Sequence, residues 1–140
     1  STDGSNWNFS QSGAFYDEGI GIATNGTLWV AVGYKSSYEN DSIKYSLDGS
    51  NWSNANQYFS LYGSGVAWNG SYWIAVGNGG SQSKSIMKSS DGINWTDVGA
   101  FSLYGTGITW SGDMWIASGN DSTLENVILT SSDGENWNYD

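Results

Sequence analysis

The chain has no cysteine, proline, histidine or arginine among its 140 residues. Without cysteine no disulfide framework forms, and without cysteine or histidine neither a Ser-His-Asp triad nor a transition-metal site can be assembled. No apolar run approaches the roughly 20 residues that a membrane-spanning helix requires, so we expect no membrane insertion. We also expect no cofactor and no metal ion.

Charge is scarce and unevenly divided. Charged residues make up 13% of the chain, with 14 acidic against 4 basic residues and a net charge of −10. A surface of this kind repels nucleic acid, so we expect no nucleic-acid partner. The chain is instead rich in aromatic residues and glycine, with 9 Trp, 9 Tyr and 20 Gly. Aromatic residues between glycine and asparagine indicate short strands and turns.

One short motif, S-x-D-G-x-N-W, occurs four times. It reads STDGSNW, SLDGSNW, SSDGINW and SSDGENW. Its aspartates are Asp3, Asp48, Asp91 and Asp133, and its tryptophans are Trp7, Trp52, Trp95 and Trp137. Successive motif tryptophans are 45, 43 and 42 residues apart. A period of this length indicates a repeat architecture.

Two further phrases recur between the copies of the motif. The first is GIGIATNGTLWVAVG, GSGVAWNGSYWIAVG or GTGITWSGDMWIASG, and the second is SIKYS, SIMKS or VILTS. Each unit is therefore predicted to contain four strands, of which the first two are joined by a two-residue Asn-Gly or Ser-Gly turn. We expect the motif aspartate to lock the turn between the third and fourth strands by accepting backbone hydrogen bonds. The motif tryptophan begins the fourth strand and is expected to be buried between sheets.

A four-stranded antiparallel unit repeated at this period is typical of a β-propeller blade. The motif also resembles the Asp-box, or BNR, repeat of sialidase-type propellers, whose usual pattern S-x-D-x-G-x-x-W lies between a blade's third and fourth strands. The pattern here is one residue shorter. The longer phrase is similar to propeller repeats that are widespread in bacteria and viruses. The resemblance implies the fold, with non-catalytic repeats, and no particular activity.

The order of phrases predicts an all-β, β-propeller-type repeat array. It consists of three four-stranded antiparallel blades plus an extra strand, in repeats spanning 1–45, 46–88 and 89–130, with the start of a fourth at 131–140. Closed propellers generally have at least about four blades. The expected partners are therefore further repeats of the same chain or copies of it, in a larger propeller, tandem array or fibre.

Catalytic chemistry has few candidate residues. Sialidases hold their substrate with an arginine triad, and lysine is a poor replacement for arginine in bidentate carboxylate binding. A retaining glycosidase needs two carboxylates about 5 Å apart. The acids outside the repeated motif that could supply them are Asp17, Glu18, Glu39 and Glu125, which we expect to be solvated loop charges. We therefore predict that the chain is not an enzyme.

The N-x-[ST] sequon for N-glycosylation occurs seven times. The candidate asparagines are Asn8, Asn25, Asn40, Asn51, Asn69, Asn94 and Asn120. Chance placement of 14 Asn and 32 Ser plus Thr would give about three sequons. The sites fall at predicted turns and strand ends, where an acceptor is accessible. The alternative is that asparagine, glycine and serine are abundant because they suit turns.

Two tryptophans beside the first hairpin, Trp68 and Trp110, suit either stacking on sugar rings or packing between blades, and we expect packing. The sequence thus predicts an extracellular structural or adhesive module on a cell or virion surface, with N-glycans on it. A carbohydrate-binding, lectin-like propeller is the alternative. A glycoside hydrolase comes third.

Overall fold

The computed structural model describes residues 3–34, 41–80, 84–99, 101–102, 104–123 and 125–139. In these residues the fold is all-β, with twelve strands in three four-stranded antiparallel sheets. Blade 1 contains β1 (Gly19–Thr24), β2 (Trp29–Gly33), β3 (Ile43–Ser46) and β4 (Ser53–Asn54). Blade 2 contains β5 (Tyr62–Trp68), β6 (Trp73–Asn78), β7 (Ile86–Ser89) and β8 (Thr96–Asp97). Blade 3 contains β9 (Tyr104–Trp110), β10 (Trp115–Asn120), β11 (Asn126–Ser131) and β12 (Asn138–Tyr139).

Each blade is a meander in which the strands lie in chain order. The registers of the three blades correspond, and the ends of the first hairpin pair as Thr24↔Trp29, Trp68↔Trp73 and Trp110↔Trp115. The predicted array of three four-stranded blades is confirmed. The fourth strand of each blade follows a motif tryptophan, so it lies in the repeat after the one that supplies the first three strands.

The extra strand predicted at Trp7 does not form. Residues 3–18 lie in none of the named strands, although Ser12 forms an isolated parallel bridge with Asn51. In every blade the fourth strand pairs with the third strand of the same sheet. The 140 residues contain no third-strand phrase ahead of Trp7, so the first copy of the motif has no strand to pair with.

The first hairpin also differs from its prediction. It is a two-residue turn, but its central residues are Gly26 and Thr27 rather than Asn25 and Gly26, because the backbone N–H of Asn25 donates to the Leu28 carbonyl at 3.2 Å. The Asn25 side-chain oxygen accepts hydrogen bonds from the backbone N–H of Thr27 (3.0 Å) and Leu28 (2.8 Å), and Asn69 accepts the equivalent pair in blade 2. Gly26 adopts φ +95°, which only glycine tolerates readily. Asn25 therefore closes the turn with both its backbone N–H and its side-chain oxygen.

Alternation along the strands gives each blade two faces. In blade 2, Trp73, Ala75 and Met87 pack on blade 1, whereas Ile74 and Val76 pack on blade 3. We call the face that points toward the preceding blade the upstream face and the opposite one the downstream face. Each pair of adjacent blades shares one apolar core, so the middle blade is buried on both sides.

The outermost faces remain open. On the upstream face of blade 1, Trp29 is 40% exposed, whereas Trp73 and Trp115, at the same position of the other blades, are fully buried. On the downstream face of blade 3, Ile128 is 43% exposed, whereas Ile43 and Ile86 are fully buried. None of the described residues belongs to a helix long and apolar enough to span a membrane.

Candidate functional site

The motif forms one repeated turn, seen in full at its third copy. The Asp91 Oδ1 accepts hydrogen bonds from the backbone N–H of Ile93 (2.9 Å) and Asn94 (2.7 Å), and Asp91 Oδ2 accepts one from Asn94 Nδ2 (2.7 Å). The Ser89 hydroxyl donates to Asp91 Oδ1 (3.0 Å) and accepts from the Gly92 N–H (2.9 Å). Gly92 lies at φ +75°. Serine, aspartate, glycine and asparagine of the motif thus close one turn together.

The other three copies repeat this geometry. Asp3, Asp48 and Asp133 each accept from the two backbone N–H groups and from the motif asparagine, at 2.7–2.9 Å. The sequence predicted the aspartate as a turn lock but missed the motif serine and asparagine. Their recurrence at every copy was the signal for these roles. Serines 46, 89 and 131 support the aspartate, and asparagines 6, 51, 94 and 136 bind it.

These bonds hold the motif carboxylates ionised. Burial raises the pKa of Asp91, but the bonds from Asn94, Ile93 and Ser89 outweigh it and lower that pKa to about 2. The backbone N–H of Asn51 is the largest of several donors that lower the pKa of Asp48. The pKa of Asp133 is lowered in the same way. A carboxylate with a depressed pKa and occupied oxygens is a poor general acid or base.

The motif tryptophans differ in burial according to their neighbours. Trp95 is buried in the core between blades 1 and 2, and its indole N–H donates to the Gly92 carbonyl (3.1 Å). Trp137 is half-buried against blade 2, and Trp52 is half-buried on the upstream face of blade 1. Trp7 is 77% exposed. Burial between sheets, as predicted, therefore requires a preceding blade.

Trp68 and Trp110 lie at equivalent positions and are both half-buried. Their rings contact the core tryptophans Trp73 and Trp115, with ring centroids 5.0 and 5.1 Å apart. Both pack against the inter-blade cores. This geometry favours the packing role over an open sugar platform, because much of each ring is already covered.

The sequons fall into two chemical classes. Asn51 and Asn94 use Nδ2 to donate to the motif aspartate. Asn25 and Asn69 bind their turns through Oδ1, and within the described part of the chain their Nδ2, the atom that carries an N-glycan, donates no hydrogen bond. Asn120 Nδ2 donates to Asn126 at 3.2 Å. The sequon residues Asn8, Asn25, Asn51 and Asn94 are exposed, and Asn69 and Asn120 are half-buried. Asn40 lies outside the described residues.

The candidate acids outside the motif are exposed where the structure describes them. Asp17, Glu18 and Glu125 are exposed, and Glu39 lies outside the described residues. Among the residues that the structure describes, no group of three or more aspartates or glutamates is placed to hold a metal ion.

An apolar concavity lies on the upstream face of blade 1. It has a volume of about 290 Å³ and is lined mainly by apolar side chains, among them Phe15, Ile22 and Trp52. Lys44 also lines it, but its ammonium group donates to Asn54 Oδ1 (2.7 Å) and lies 3.7 Å from an Asp41 carboxylate oxygen. The positive charge of Lys44 is therefore compensated by nearby residues of blade 1, rather than being available to a ligand.

No protein-family model matches the chain, and no curated protein matches it at a significant level. The likeness to Asp-box repeats therefore stays a prediction from the motif.

Proposed function

We propose that the chain is a structural or adhesive repeat module, displayed outside the cell or on a virion surface, as a segment of a larger propeller, tandem array or fibre. One observation supports the proposal: in the second, third and fourth copies of the motif, every polar residue that the motif repeats is hydrogen-bonded within the turn. At Asp91, both carboxylate oxygens are bonded within the turn, and the partner donors on Ser89 and Asn94 are used as well. A repeated active site would instead leave such groups facing a cleft.

The surface supports display in a hydrated setting. The net charge of −10 disfavours binding to nucleic acid or anionic membranes. The hairpin residues Asn25 and Asn69 can carry glycans without loss of the Oδ1 bonds that close their turns. We therefore propose these two as the principal glycan sites, and the other sequons as secondary ones. The proposal includes no enzymatic activity.

The second candidate function is carbohydrate binding. It is favoured by the partial exposure of Trp68 and Trp110, which recur at the same place on two blades. Aromatic rings of this kind stack on apolar faces of ligands. The contacts of both rings with Trp73 and Trp115 make this function the weaker candidate.

Intact mass spectrometry of native protein and a glycan array together test the two functions. We expect glycans at Asn25 and Asn69 and no array binding. Trp68→Phe keeps a ring that can both stack on sugar and pack against Trp73, whereas Trp68→Ala removes it. Circular dichroism of both variants separates lost sugar stacking from lost folding. Unmodified asparagines, with array binding that the folded Trp68→Phe variant keeps and the folded Trp68→Ala variant loses, would replace the structural role with the lectin.

A further inference from the structure

The two interfaces inside the chain are two copies of one interface. A β-carbon at the motif glycine Gly92 would lie 2.5 Å from Leu28 of the preceding blade, and one at Gly134 would lie 2.8 Å from Tyr72, the equivalent of Leu28. Likewise, β-carbons at Gly63 and Gly105 would each lie 2.7 Å from the Cβ of a valine, Val32 or Val76, in the preceding blade. Glycine at these positions allows adjacent blades to approach closely.

A serine bond also recurs at both interfaces. The Ser42 hydroxyl of blade 1 accepts from the Phe59 N–H (2.7 Å) and donates to the Phe59 carbonyl (3.0 Å) ahead of blade 2. Ser85 makes the same two bonds with Phe101, at 3.0 and 3.1 Å. The interface therefore has a fixed register as well as an apolar core.

Each outer face of the array corresponds to one side of this interface and has no blade packed against it in the described chain. On the upstream side of blade 1, a β-carbon at the motif glycine Gly49 would meet no atom within 4 Å. The concavity beside it is bounded by Phe15, which occupies the place of the fully buried Phe59. On the downstream side of blade 3, Met114 and Ile128 are exposed where Leu28 and Ile43 are buried in blade 1.

We propose that the downstream face of blade 3 docks on the upstream face of blade 1 of a second copy of this chain, and that two copies close a six-bladed ring. This inference rests on the proposed structural role and names its partner. Met114 would lie against Gly49 of the second copy, and Ile128 would face its apolar concavity. Thr106 keeps a hydroxyl at the position where Ser64 donates to the Gly105 carbonyl at 2.6 Å.

The number of copies follows from the blade count. Each copy contributes three blades, and closed propellers typically have about 4–8 blades. Six is the only multiple of three in that range, so identical copies close a ring only as a pair. The contact is head-to-tail, a class that gives rings when the rotation closes.

Two departures make the contact between copies weaker than the internal one. Val127 stands where Ser42 and Ser85 make the serine bonds, so the bonds to Phe15 are lost. Ser118 stands where Val32 and Val76 pack on a glycine. The net charge of −10 on each copy adds repulsion, which salt screens. We therefore expect association that depends on concentration and increases with ionic strength.

Sedimentation equilibrium of the 140-residue chain over a range of concentration and salt is the first test. We expect a transition from 15.1 kDa to twice that mass and no larger species. Ile128→Lys should raise the dissociation constant about tenfold or more, since a charge would enter an apolar contact. Leu61→Lys, at an exposed leucine of the middle blade, is the matched control and should leave it unchanged. Urea unfolding checks that both variants fold.

Disulfide trapping tests the head-to-tail geometry, because the chain has no cysteine of its own. A β-carbon at Gly65 would lie 3.3 Å from Ile108 Cγ2 across the internal interface, and the equivalent pair between copies is Gly107 and Ile22. Gly107→Cys and Ile22→Cys proteins should cross-link when mixed and oxidised, and neither should cross-link alone. Cross-linking of one variant with itself would overturn the geometry.

A chain that remains a folded monomer at all concentrations would overturn the docking, and species larger than two copies would overturn the ring. Neither result bears on the motif chemistry or the glycan test that support the structural role. Conversely, sugar binding by a two-copy ring would overturn the structural role and leave this inference standing.

Discussion

Trp29 and Trp73 occupy the same position of the same phrase, WVAVG in blade 1 and WIAVG in blade 2, yet the first is 40% exposed and the second fully buried. The strands and their registers are alike. The difference arises because blade 2 has blade 1 on its upstream side, whereas in the described chain no blade lies on the upstream side of blade 1. In a repeat protein, burial is thus a property of neighbouring repeats rather than of one repeat's sequence.

A second comparison concerns the two internal interfaces. The indole N–H of Trp115 donates to the Tyr72 hydroxyl at 2.9 Å, whereas the buried indole N–H of Trp73 has no hydrogen-bond partner in the described residues. The position of Tyr72 is held by Leu28 in blade 1, and leucine offers no acceptor. The two interfaces therefore differ in whether the buried indole of the second strand finds an acceptor.

The largest expected effect is a difference in stability between alanine substitutions at Trp73 and at Trp29. Trp73→Ala should lower the free energy of unfolding by about 3–5 kcal/mol, because it removes a fully buried ring and leaves a cavity. Trp29→Ala, measured on dilute monomer, should cost no more than about 1 kcal/mol, since the ring is partly solvated. Urea denaturation followed by circular dichroism measures both. Equal losses would mean that the blades do not stack as described.

The next effect removes the indole's acceptor at the interface between blades 2 and 3. Tyr72→Phe keeps the ring against Trp115 and removes only the acceptor, so the buried indole N–H loses its partner. An unsatisfied buried donor costs about 1–3 kcal/mol. Urea denaturation should show this loss. The Tyr45→Phe protein, with the same chemical change at a half-buried tyrosine of blade 1, is the control and should lose less.

The opposite change should add an acceptor at the interface between blades 1 and 2. Leu28→Tyr places a hydroxyl where Tyr72 has one and offers an acceptor to the Trp73 indole N–H. A net hydrogen bond contributes about 1 kcal/mol, so we expect a gain of about that size in the urea experiment. Leu28→Phe, with the ring but not the hydroxyl, should show no gain. If both variants are destabilised, the contact between residue 28 and Gly92 has no room for an aromatic ring, unlike the contact between Tyr72 and Gly134.

The smallest expected effect is on the loss of stability at acidic pH. The folded pKa of Asp91, about 2, lies below its ordinary value of 3.8, so the turn adds stability above pH 3.8 that is lost as pH falls through about 2. Asp91→Asn keeps an acceptor for the backbone N–H groups but does not titrate. Its free energy of unfolding should therefore fall less between pH 4 and 2 than that of the original chain. Asp17→Asn, outside the motif, is the control; an unchanged pH profile for Asp91→Asn would contradict the turn assignment.

The sequence predicted the blades because strand periodicity and the motif are local and repeat. It predicted the role of Asp91 but not the bond from Asn94 Nδ2, since an asparagine side chain can hydrogen-bond to many different partners. The two-residue turn of the first hairpin was predicted one position too early, because the Asn25 side chain accepts the Leu28 N–H and so places the asparagine at the edge of the turn rather than at its centre. Trp29, expected in the core because Val and Ala follow it in the second strand, is instead 40% exposed, because its burial depends on which faces meet in three dimensions.

Hydroxyl-radical footprinting with mass spectrometry, repeated over a range of protein concentration, tests the central claim most directly. In dilute solution Trp29 should be oxidised and Trp73 protected. As two copies associate, protection of Trp29 should rise in step with the mass, because the upstream face of blade 1 becomes an interface like that of blade 2. Oxidation of Trp29 that is independent of concentration, or oxidation of Trp73 as fast as that of Trp29, would contradict the account.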